Sequence, residues 1–323
     1  MGSGRYLLKK VFQALLTLAF VLVANFFLFR ILPGDPVRTL AKNQKLAPEQ
    51  IDILRKDLGL DQPVFPQQLL TYTGDTLRGN FGVSFITGRP VLTSIASHIW
   101  PTILLVGSAT ILSTIMGIIA GIWAAWRRGS SFDVGSLGVS LTLYSMPEGW
   151  LGMMLLIVFG VWLGLFPLGG YESTQGLTGA AHWVDVLNHL ILPMMTLALG
   201  YVGEFYLIMR ASLLEVMGED FITTARAKGL RDKMVRRNHA VPNALLPTVT
   251  LVVLSLGYVL GGAILIEAIF SYEGLGLLTY NAIQSLDYPT IQGVFLIVSA
   301  AVILANLVAD IMYTYLDPRV REA

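Results

Sequence analysis

The sequence predicts an all-α polytopic membrane protein with about six transmembrane helices, both termini in the cytoplasm, and a folded extracytoplasmic segment between helices one and two. Three observations support this fold class. Hydrophobic residues occupy 54% of the 323 positions and charged residues only 13%, whereas a soluble domain has about 25% charged residues. Apolar stretches of about 20 residues, long enough to cross a bilayer, recur along the chain. Lysine and arginine are concentrated in alternate connecting loops.

The composition excludes several classes of function. A net charge of +1 provides no field that would attract nucleic acid. The absence of cysteine excludes disulfides, thiolate metal sites and thiol catalysis. The chain has neither a G-x-x-x-x-G-K-[ST] phosphate-binding loop nor an H-E-x-x-H motif, and its four histidines show no metal-ligand spacing. We therefore expect no catalytic residue and no metal site in this chain.

Six apolar stretches are long enough to be membrane spans. They cover residues 10–32, 99–126, 134–166, 189–210, 245–270 and 291–316. The first follows a basic segment, residues 1–9, but exceeds a signal-peptide h-region of about 7–15 residues, so we expect it to be retained. The third is interrupted at Pro147, which removes a backbone donor, and is either one bent helix or two pieces. Spans two to six form a transmembrane core over residues 99–316.

Basic residues in the short loops determine the expected orientation. They occur before the first span, after the second and fourth, and in the tail, residues 317–323, whereas the loops after the third and fifth spans contain none. The N-terminus, the tail and the loop 211–244 are therefore expected in the cytoplasm, and the segment 33–98 outside it. Within that outer segment, hydrophobic spacing predicts helices over 48–58 and 66–78.

The longest polar interval of the C-terminal half, residues 215–247, contains the signal of a short helix. Asp220 is placed to cap the N-terminus, where a carboxylate satisfies free backbone N–H groups. Residues 221–228 follow without Gly or Pro, and Gly229 stands where helices commonly end in a left-handed residue. The cap, body and end of this helix are Asp220, Phe221, Ile222, Thr223, Thr224, Ala225, Arg226, Ala227, Lys228 and Gly229.

One side of this helix is apolar and formed by Ile222, Ala225 and Gly229. Six basic residues occupy positions between 226 and 237 around it. A small apolar ridge among basic residues suits docking into a groove on a partner. An ordinary basic cytoplasmic loop, required only for topology, accounts for the same composition, and composition does not separate the two hypotheses.

Four carboxylates fall within the apolar spans, where charge is costly and commonly functional. Glu148 lies at the interruption of the third span, and Glu204 is six residues from Arg210, too far for an i, i+4 pair. Each of these two glutamates is a candidate either for the lining of a translocation pathway or for a structural contact between helices. Glu267 and Asp310 lie near span ends, where the structural role is favoured.

Four short motifs occur in order along the chain. They are ILPGDP at 31–36, LGLDQP at 58–63, GNFGVS at 79–84 and TARAKGL at 224–230. Together, and at these positions in the hydropathy pattern, they resemble the permease subunits of the peptide/nickel class of ABC importers, also called binding-protein-dependent transport permeases. The resemblance extends over nearly the whole chain. It implies that the helix at 220–229 is the coupling helix that docks onto an ATPase.

The chain departs from the general importer pattern within this helix. The pattern consists of Glu-Ala-Ala, three residues and Gly; aligned on Gly229, the chain retains Ala225 but has Thr223 in place of the glutamate. Any contact that the resemblance assigns to that carboxylate therefore needs another residue. Asp220 or Glu219 is the candidate to replace it.

The resemblance also implies the partners of the chain. They are a second homologous permease subunit, two cytoplasmic ABC ATPase subunits that hold ATP and Mg, and an extracytoplasmic substrate-binding protein, in the inner membrane of a bacterial or archaeal cell. The chain itself is then no enzyme and holds no cofactor. Members of this class carry peptides, nickel chelates, haem or oligosaccharides, and di-/oligopeptides are the expected substrate. The alternative is an ion-coupled secondary transporter that uses Glu148 or Glu204. The lack of an evident inverted repeat argues against this alternative.

Overall fold

The computed structural model describes residues 2–31, 61–259 and 263–316, and this part of the chain is almost entirely helical. Its helices are α1 (Gly2–Ile31), α2 (Leu69–Leu77), α3 (Val91–Trp126), α4 (Ser131–Ser145), α5 (Glu148–Leu155), α6 (Ala180–Val216), α7 (Asp220–Ala227), α8 (Asp232–Val235), α9 (Val241–Tyr258), α10 (Ile264–Ile269), α11 (Leu275–Gln284) and α12 (Tyr288–Leu316). Wider π-helical segments precede α2, continue α5 and precede α9, at Val64–Gln68, Leu156–Trp162 and Arg236–Ala240. Helices suit a bilayer because they satisfy their backbone hydrogen bonds internally.

Four of these helices are long and apolar enough to cross a membrane: α1, α3, α6 and α12. A fifth span results if α4 and α5 with its π-helical continuation count as one, despite a bend of 101°. Of the six predicted spans, the described ranges therefore show four or five. The fifth predicted span falls on α9 and α10, and residues 260–262 between them lie outside the described ranges.

The third predicted span consists of two pieces. Helix α4 ends at Ser145 and α5 begins at Glu148. Met146 has extended backbone angles (φ −75°, ψ 134°) because the ring of Pro147 disfavours the helical region for the residue before it. Pro147 then occupies the N-cap of α5. The proline that interrupts the apolar pattern is thus the physical cause of the bend.

Several helices differ in extent from the predicted spans. Helix α3 begins eight residues earlier than residue 99, at Val91, because polar residues of its first turns hide it from a hydropathy pattern. Helix α6 extends beyond 189–210 at both ends, for the same reason. In the outer segment, the helix expected over 66–78 is α2, whereas the one expected over 48–58 lies outside the described residues.

The chain divides into two compact units. The first contains α1, α2, α3 as far as Pro101, α11 and α12. Within it α1 packs along α12, and the buried Asn25 donates from Nδ2 to the Gln292 carbonyl oxygen (3.1 Å) and to the Tyr72 hydroxyl (3.1 Å). These polar contacts fix how the two long helices face each other.

A buried carboxylate connects the GNFGVS segment to the turn before α12 in the first unit. Asp287 is 3% exposed and accepts hydrogen bonds from the Ser84 hydroxyl (2.6 Å), the Phe85 N–H (3.0 Å) and the Thr290 hydroxyl (2.8 Å). Three donors satisfy most of the hydrogen-bonding capacity of a carboxylate. The contact gives the serine of this motif a structural role.

The second unit contains α3 from Thr102, α4 to α9 and most of α10. In this unit α3 and α6 approach closely at two glycines. A Cβ atom on Gly117 would lie 2.5 Å from the Cβ of Phe205, and a Cβ on Gly121 would lie 2.9 Å from the Tyr206 carbonyl oxygen. Only residues without a side chain permit this separation of the two helices.

Candidate functional site

Helix α7 lies in the polar interval and matches the predicted short helix to within one residue. Its N-cap is Glu219, with extended angles (φ −75°, ψ 148°), so the prediction that Asp220 caps the helix is wrong. Asp220 instead begins the first turn, where its charge interacts favourably with the helix dipole. Gly229 has a φ of +75°, which confirms its predicted left-handed conformation after the helix.

The apolar ridge of α7 packs against the chain itself. Ile222 is 0% and Ala225 5% exposed, whereas Gly229 is exposed. The buried residues that surround them in one cluster are Ala125, Met209, Leu213, Val235, Ala240 and Ala244. The expectation that this ridge docks onto a partner is therefore wrong. The ridge instead anchors α7 to the ends of α3, α6, α8 and α9.

The side of α7 next to this ridge is exposed. Phe221 is 42% exposed. The other exposed residues of the predicted segment are Asp220, Thr223, Thr224, Arg226, Ala227, Lys228 and Gly229. Phe221, Thr224 and Lys228 follow helical spacing and are called here the outer face of α7. This face, rather than the apolar ridge, is open to a partner.

A largely buried ion pair connects the start of α4 to the end of α6. Arg210 donates from Nε to Asp133 Oδ1 (2.7 Å) and from Nη2 to Asp133 Oδ2 (3.0 Å). Asp133 is 3% exposed and also accepts from the Gly129 N–H (2.9 Å), while the Ser130 side chain caps the N–H of Asp133. Because Met209 belongs to the cluster that anchors α7, the ion pair and α7 lie on one packed end of α6.

Sequence reasoning missed this ion pair. It considered Arg210 only as a residue too far from Glu204 to pair with it, and it did not consider Asp133. The sequence did contain one signal, the serine at position 130. A serine three residues before Asp133 is typical of a helix N-cap. That signal places the carboxylate in a first turn, but it does not identify a partner 77 residues further along the chain.

The two candidate pathway carboxylates, Glu148 and Glu204, lie near each other along α6. Glu148 is half-buried and packs on α6, where a Cβ on Gly200 would lie 3.5 Å from the Glu148 Cγ. Glu204, also half-buried, follows one turn later. Tyr201 is close enough to interact electrostatically with both carboxylates. Within the described ranges neither carboxylate has an ion-pair partner, so the pair can attract a cation or an ammonium group.

A cleft of about 680 Å³ lies at the bend between α4 and α5. The residues that line it are Leu141, Thr142, Ser145, Met146, Pro147 and Trp150. Its wall is largely apolar with two hydroxyl groups, and Glu148 follows directly in the chain. Neither Glu148 nor Glu204 lines this shallow cleft.

The other two intramembrane carboxylates have structural contacts. Glu267 is fully buried and accepts a hydrogen bond from the Thr102 hydroxyl (2.9 Å). Asp310 forms an ion pair with Lys10 (3.0 Å), which connects α12 to α1. Both contacts agree with the structural role that the sequence favoured. No group of three His, Asp or Glu side chains in the described part of the chain is arranged to hold a metal ion.

The fold and these sites define a class: a polytopic helical membrane component with a short, anchored helix in the longest polar interval of its C-terminal half. Models of one family match almost the whole chain. The binding-protein-dependent transport system inner membrane component matches residues 117–322, and its N-terminal part matches residues 4–106. The chain belongs to this family of binding-protein-dependent transport system inner membrane components, which confirms the resemblance seen in the sequence.

Relatives of similar length agree with this assignment. Over 98% of its length the chain is 37% identical to the probable peptide ABC transporter permease protein y4tP of Sinorhizobium fredii and to the dipeptide transport system permease protein DppB of Escherichia coli, covering 99% and 98% of those proteins. It is also 37% identical to the E. coli glutathione transport system permease protein GsiC, over 98% of both chains. The inward-facing MetNI methionine ABC transporter shares the fold, with a TM-score of 0.50 and 16% identity over 69% of this chain and 96% of that one.

Proposed function

We propose that the chain is the permease subunit of an ATP-driven ABC importer and forms half of the translocation pathway for di-/oligopeptides. A second homologous permease subunit forms the other half, two cytoplasmic ABC ATPase subunits bind ATP and Mg, and an extracytoplasmic binding protein delivers the substrate. The observation that carries this proposal is the packing of α7. Its apolar ridge is buried in its own chain, and its outer face is exposed. An anchored helix of this kind presents a rigid surface to an ATPase.

The packing of α7 supports a mechanism for transmitting force. When ATP binding closes the ATPase pair, each α7 moves with the subunit on which it docks. Ile222 and Ala225 are packed against the ends of α3, α6 and α9, so these helices move with α7 rather than the loop bending. The ion pair of Arg210 with Asp133 extends the moving body to α4. Rotation of the bundle opens the pathway outward, and hydrolysis resets it.

Glu148 and Glu204 are proposed to line the pathway. A peptide carries a positive ammonium group at neutral pH, and two half-buried carboxylates on one side of α6 attract it more strongly than they would in water. Three relatives at 37% identity are transport permeases for a peptide, a dipeptide and glutathione by name. These names favour short peptides over nickel chelates, haem or oligosaccharides.

The proposal places the N-terminus, the loop 211–244 and the tail in the cytoplasm, and the segment 33–98 outside it, in the inner membrane of a bacterial or archaeal cell. The transmembrane core comprises residues 99–316. The basic residues of alternate loops support this orientation. The lack of a phosphate-binding loop in this sequence supports the assignment of ATP hydrolysis to the partner subunits.

Uptake by the complete complex tests the proposal. The chain is purified with its second permease and ATPase subunits, reconstituted into vesicles, and supplied with the binding protein and a radiolabelled dipeptide. The expected result is accumulation of the dipeptide that requires hydrolysable ATP and occurs without an ion gradient. Accumulation without ATP that follows a proton or sodium gradient would establish the alternative, a secondary transporter that uses Glu148 or Glu204.

A further inference from the structure

A group of aromatic and basic side chains lies at the end of α3, where Trp126 packs against the cluster that anchors α7. The guanidinium carbon of Arg236 lies 4.6 Å from the ring centroid of Trp123, and that of Arg127 lies 5.1 Å from the same ring. Arg236 also lies 5.5 Å from the ring of Trp126, and Arg226 of α7, which pairs with Asp232 (4.0 Å), lies 5.9 Å from the same ring. Trp123, Trp126, Arg127 and Arg236 are called here the tryptophan–arginine cluster.

The cluster holds two positive charges without a carboxylate to balance them. Since Arg127 and Arg236 face one ring at these distances, their guanidinium carbons are less than about 10 Å apart, within the Debye length at 0.1 M salt. Neither forms an ion pair with any residue that the structure describes. Cation–π contacts hold the groups in place but leave their charge unneutralised. These two charges are therefore available to an anion.

An exposed apolar stripe along α3 leads to this cluster. Every fourth residue from Ile111 is exposed: Ile111 is 59%, Ile115 51%, Ile119 52% and Trp123 40% exposed, and Arg127 continues the stripe. Each step of four residues turns about 40° around a helix, so the stripe winds by about 120° between Ile111 and Trp123. From Ile111 to Trp123 the stripe is about 18 Å long, close to the depth of one leaflet, half of a hydrocarbon core of about 30 Å.

We propose that this side of α3 binds an anionic phospholipid. The headgroup phosphate pairs with Arg127 and Arg236 beside Trp123, and an acyl chain lies along the isoleucine stripe. Tryptophan prefers the membrane–water interface, and basic clusters at the membrane edge attract anionic headgroups. A soluble ATPase with acidic residues would satisfy the arginines but would leave the isoleucines uncovered. The site requires neither the transported substrate nor the ATPase.

Quenching of tryptophan fluorescence by brominated lipids tests the site in the full-length chain. The protein is reconstituted in phosphatidylcholine vesicles that contain increasing fractions of brominated phosphatidylglycerol or brominated phosphatidylcholine. The sequence has six tryptophans, so the signal of Trp123 is obtained by subtracting that of a Trp123→Phe variant. We expect brominated phosphatidylglycerol to quench Trp123 at a several-fold lower fraction than brominated phosphatidylcholine. Inorganic phosphate should not reduce the quenching by phosphatidylglycerol.

Two paired variants isolate the arginines. Arg127→Gln with Arg236→Gln should abolish the preference while quenching by the choline lipid persists, which also shows that Trp123 still faces lipid. Arg231→Gln with Lys233→Gln removes the same charge from exposed positions of the loop that contains Arg236 and should retain the preference. Arg127→Lys with Arg236→Lys should retain most of it. Equal quenching by both lipids in the unmodified chain, a preference that survives the first variant, or an equal loss in the control would overturn the proposal.

Discussion

Arg210 at the end of α6 and Asp133 at the start of α4 form a bidentate ion pair with distances of 2.7 and 3.0 Å. Asp133→Asn keeps the shape of the side chain but leaves the guanidinium without its charge partner. Breaking a buried pair from one side costs about 3–5 kcal/mol. We expect a lower thermal unfolding temperature of the purified chain and less transport per ATP hydrolysed by the complex.

An exposed ion pair provides the control for this prediction. Arg226 and Asp232 are 4.0 Å apart, and their side chains are 48% and 76% exposed. Asp232→Asn should change the stability by no more than about 1 kcal/mol. Exchanging the charges of Asp133 and Arg210 should restore little of the lost stability, because Asp133 also accepts a hydrogen bond from the Gly129 N–H. Equal effects of Asp133→Asn and Asp232→Asn would contradict the role given to the buried pair.

Anchoring and docking by α7 are separable by substitution at neighbouring positions. Phe221→Ala should leave folding stability within about 0.5 kcal/mol but weaken binding of the ATPase, because the exposed ring is expected at the interface. Ile222→Ala should lower stability by about 2–5 kcal/mol, because the side chain is fully buried. Co-purification of the ATPase and thermal unfolding measure the two effects.

Phe132→Ala is the matched control for the docking prediction, because Phe132 is 46% exposed, close to the 42% of Phe221, and lies outside the polar loop. It should leave ATPase binding unchanged. A loss of binding with Phe132→Ala as large as with Phe221→Ala would argue against a specific docking face.

The close approach of α3 and α6 predicts that alanine substitutions at Gly117 and Gly138 change stability in opposite directions. Gly117→Ala introduces a Cβ that would lie 2.5 Å from the Cβ of Phe205, so the helices must separate. We expect a loss of about 1–3 kcal/mol, read as a lower thermal unfolding temperature. Gly138→Ala, in α4 with nothing within 4 Å, should raise stability by up to about 1 kcal/mol. Similar losses in the two variants would show that the helices do not touch at Gly117.

The carboxylate pair predicts how the complex distinguishes peptides. Glu148→Gln or Glu204→Gln should weaken transport of a dipeptide about tenfold in KM, equivalent to about 1.4 kcal/mol, because attraction for the ammonium group is lost. An N-acetylated dipeptide lacks that ammonium and should be transported equally by the variant and the unmodified complex. Glu215→Gln, at an exposed position near the end of α6, is the control. The same tenfold effect on the acetylated peptide would exclude an electrostatic role.

Local features of the fold were predictable because they depend on neighbouring residues. Pro147 indicated the break between α4 and α5, since it restricts the residue before it and lacks a donor. Gly229 indicated the end of α7, since its left-handed conformation is costly for other residues. The orientation of α7 was not predictable. An apolar ridge shows which side of a helix is buried but not whether its own chain or a partner covers it.

Contacts between distant residues were also beyond the sequence. The Asp133–Arg210 pair joins residues 77 positions apart, and the contact of Ser84 with Asp287 joins residues 203 apart. Each of these residues alone is of a type that is common in loops and at helix ends. Only the packing of the helices brings the partners together, and hydropathy does not determine which helices are neighbours.

Site-specific cross-linking at α7 tests the central claim, that its outer face docks onto an ATPase. The sequence contains no cysteine, so a single introduced thiol has no background. Phe221→Cys, Thr224→Cys and Lys228→Cys, each modified with a photoreactive maleimide in the assembled complex, should cross-link to the ATPase subunit. Ile222→Cys and Phe132→Cys should not. Cross-linking from Ile222→Cys or Phe132→Cys with no product from the three outer positions would contradict the account.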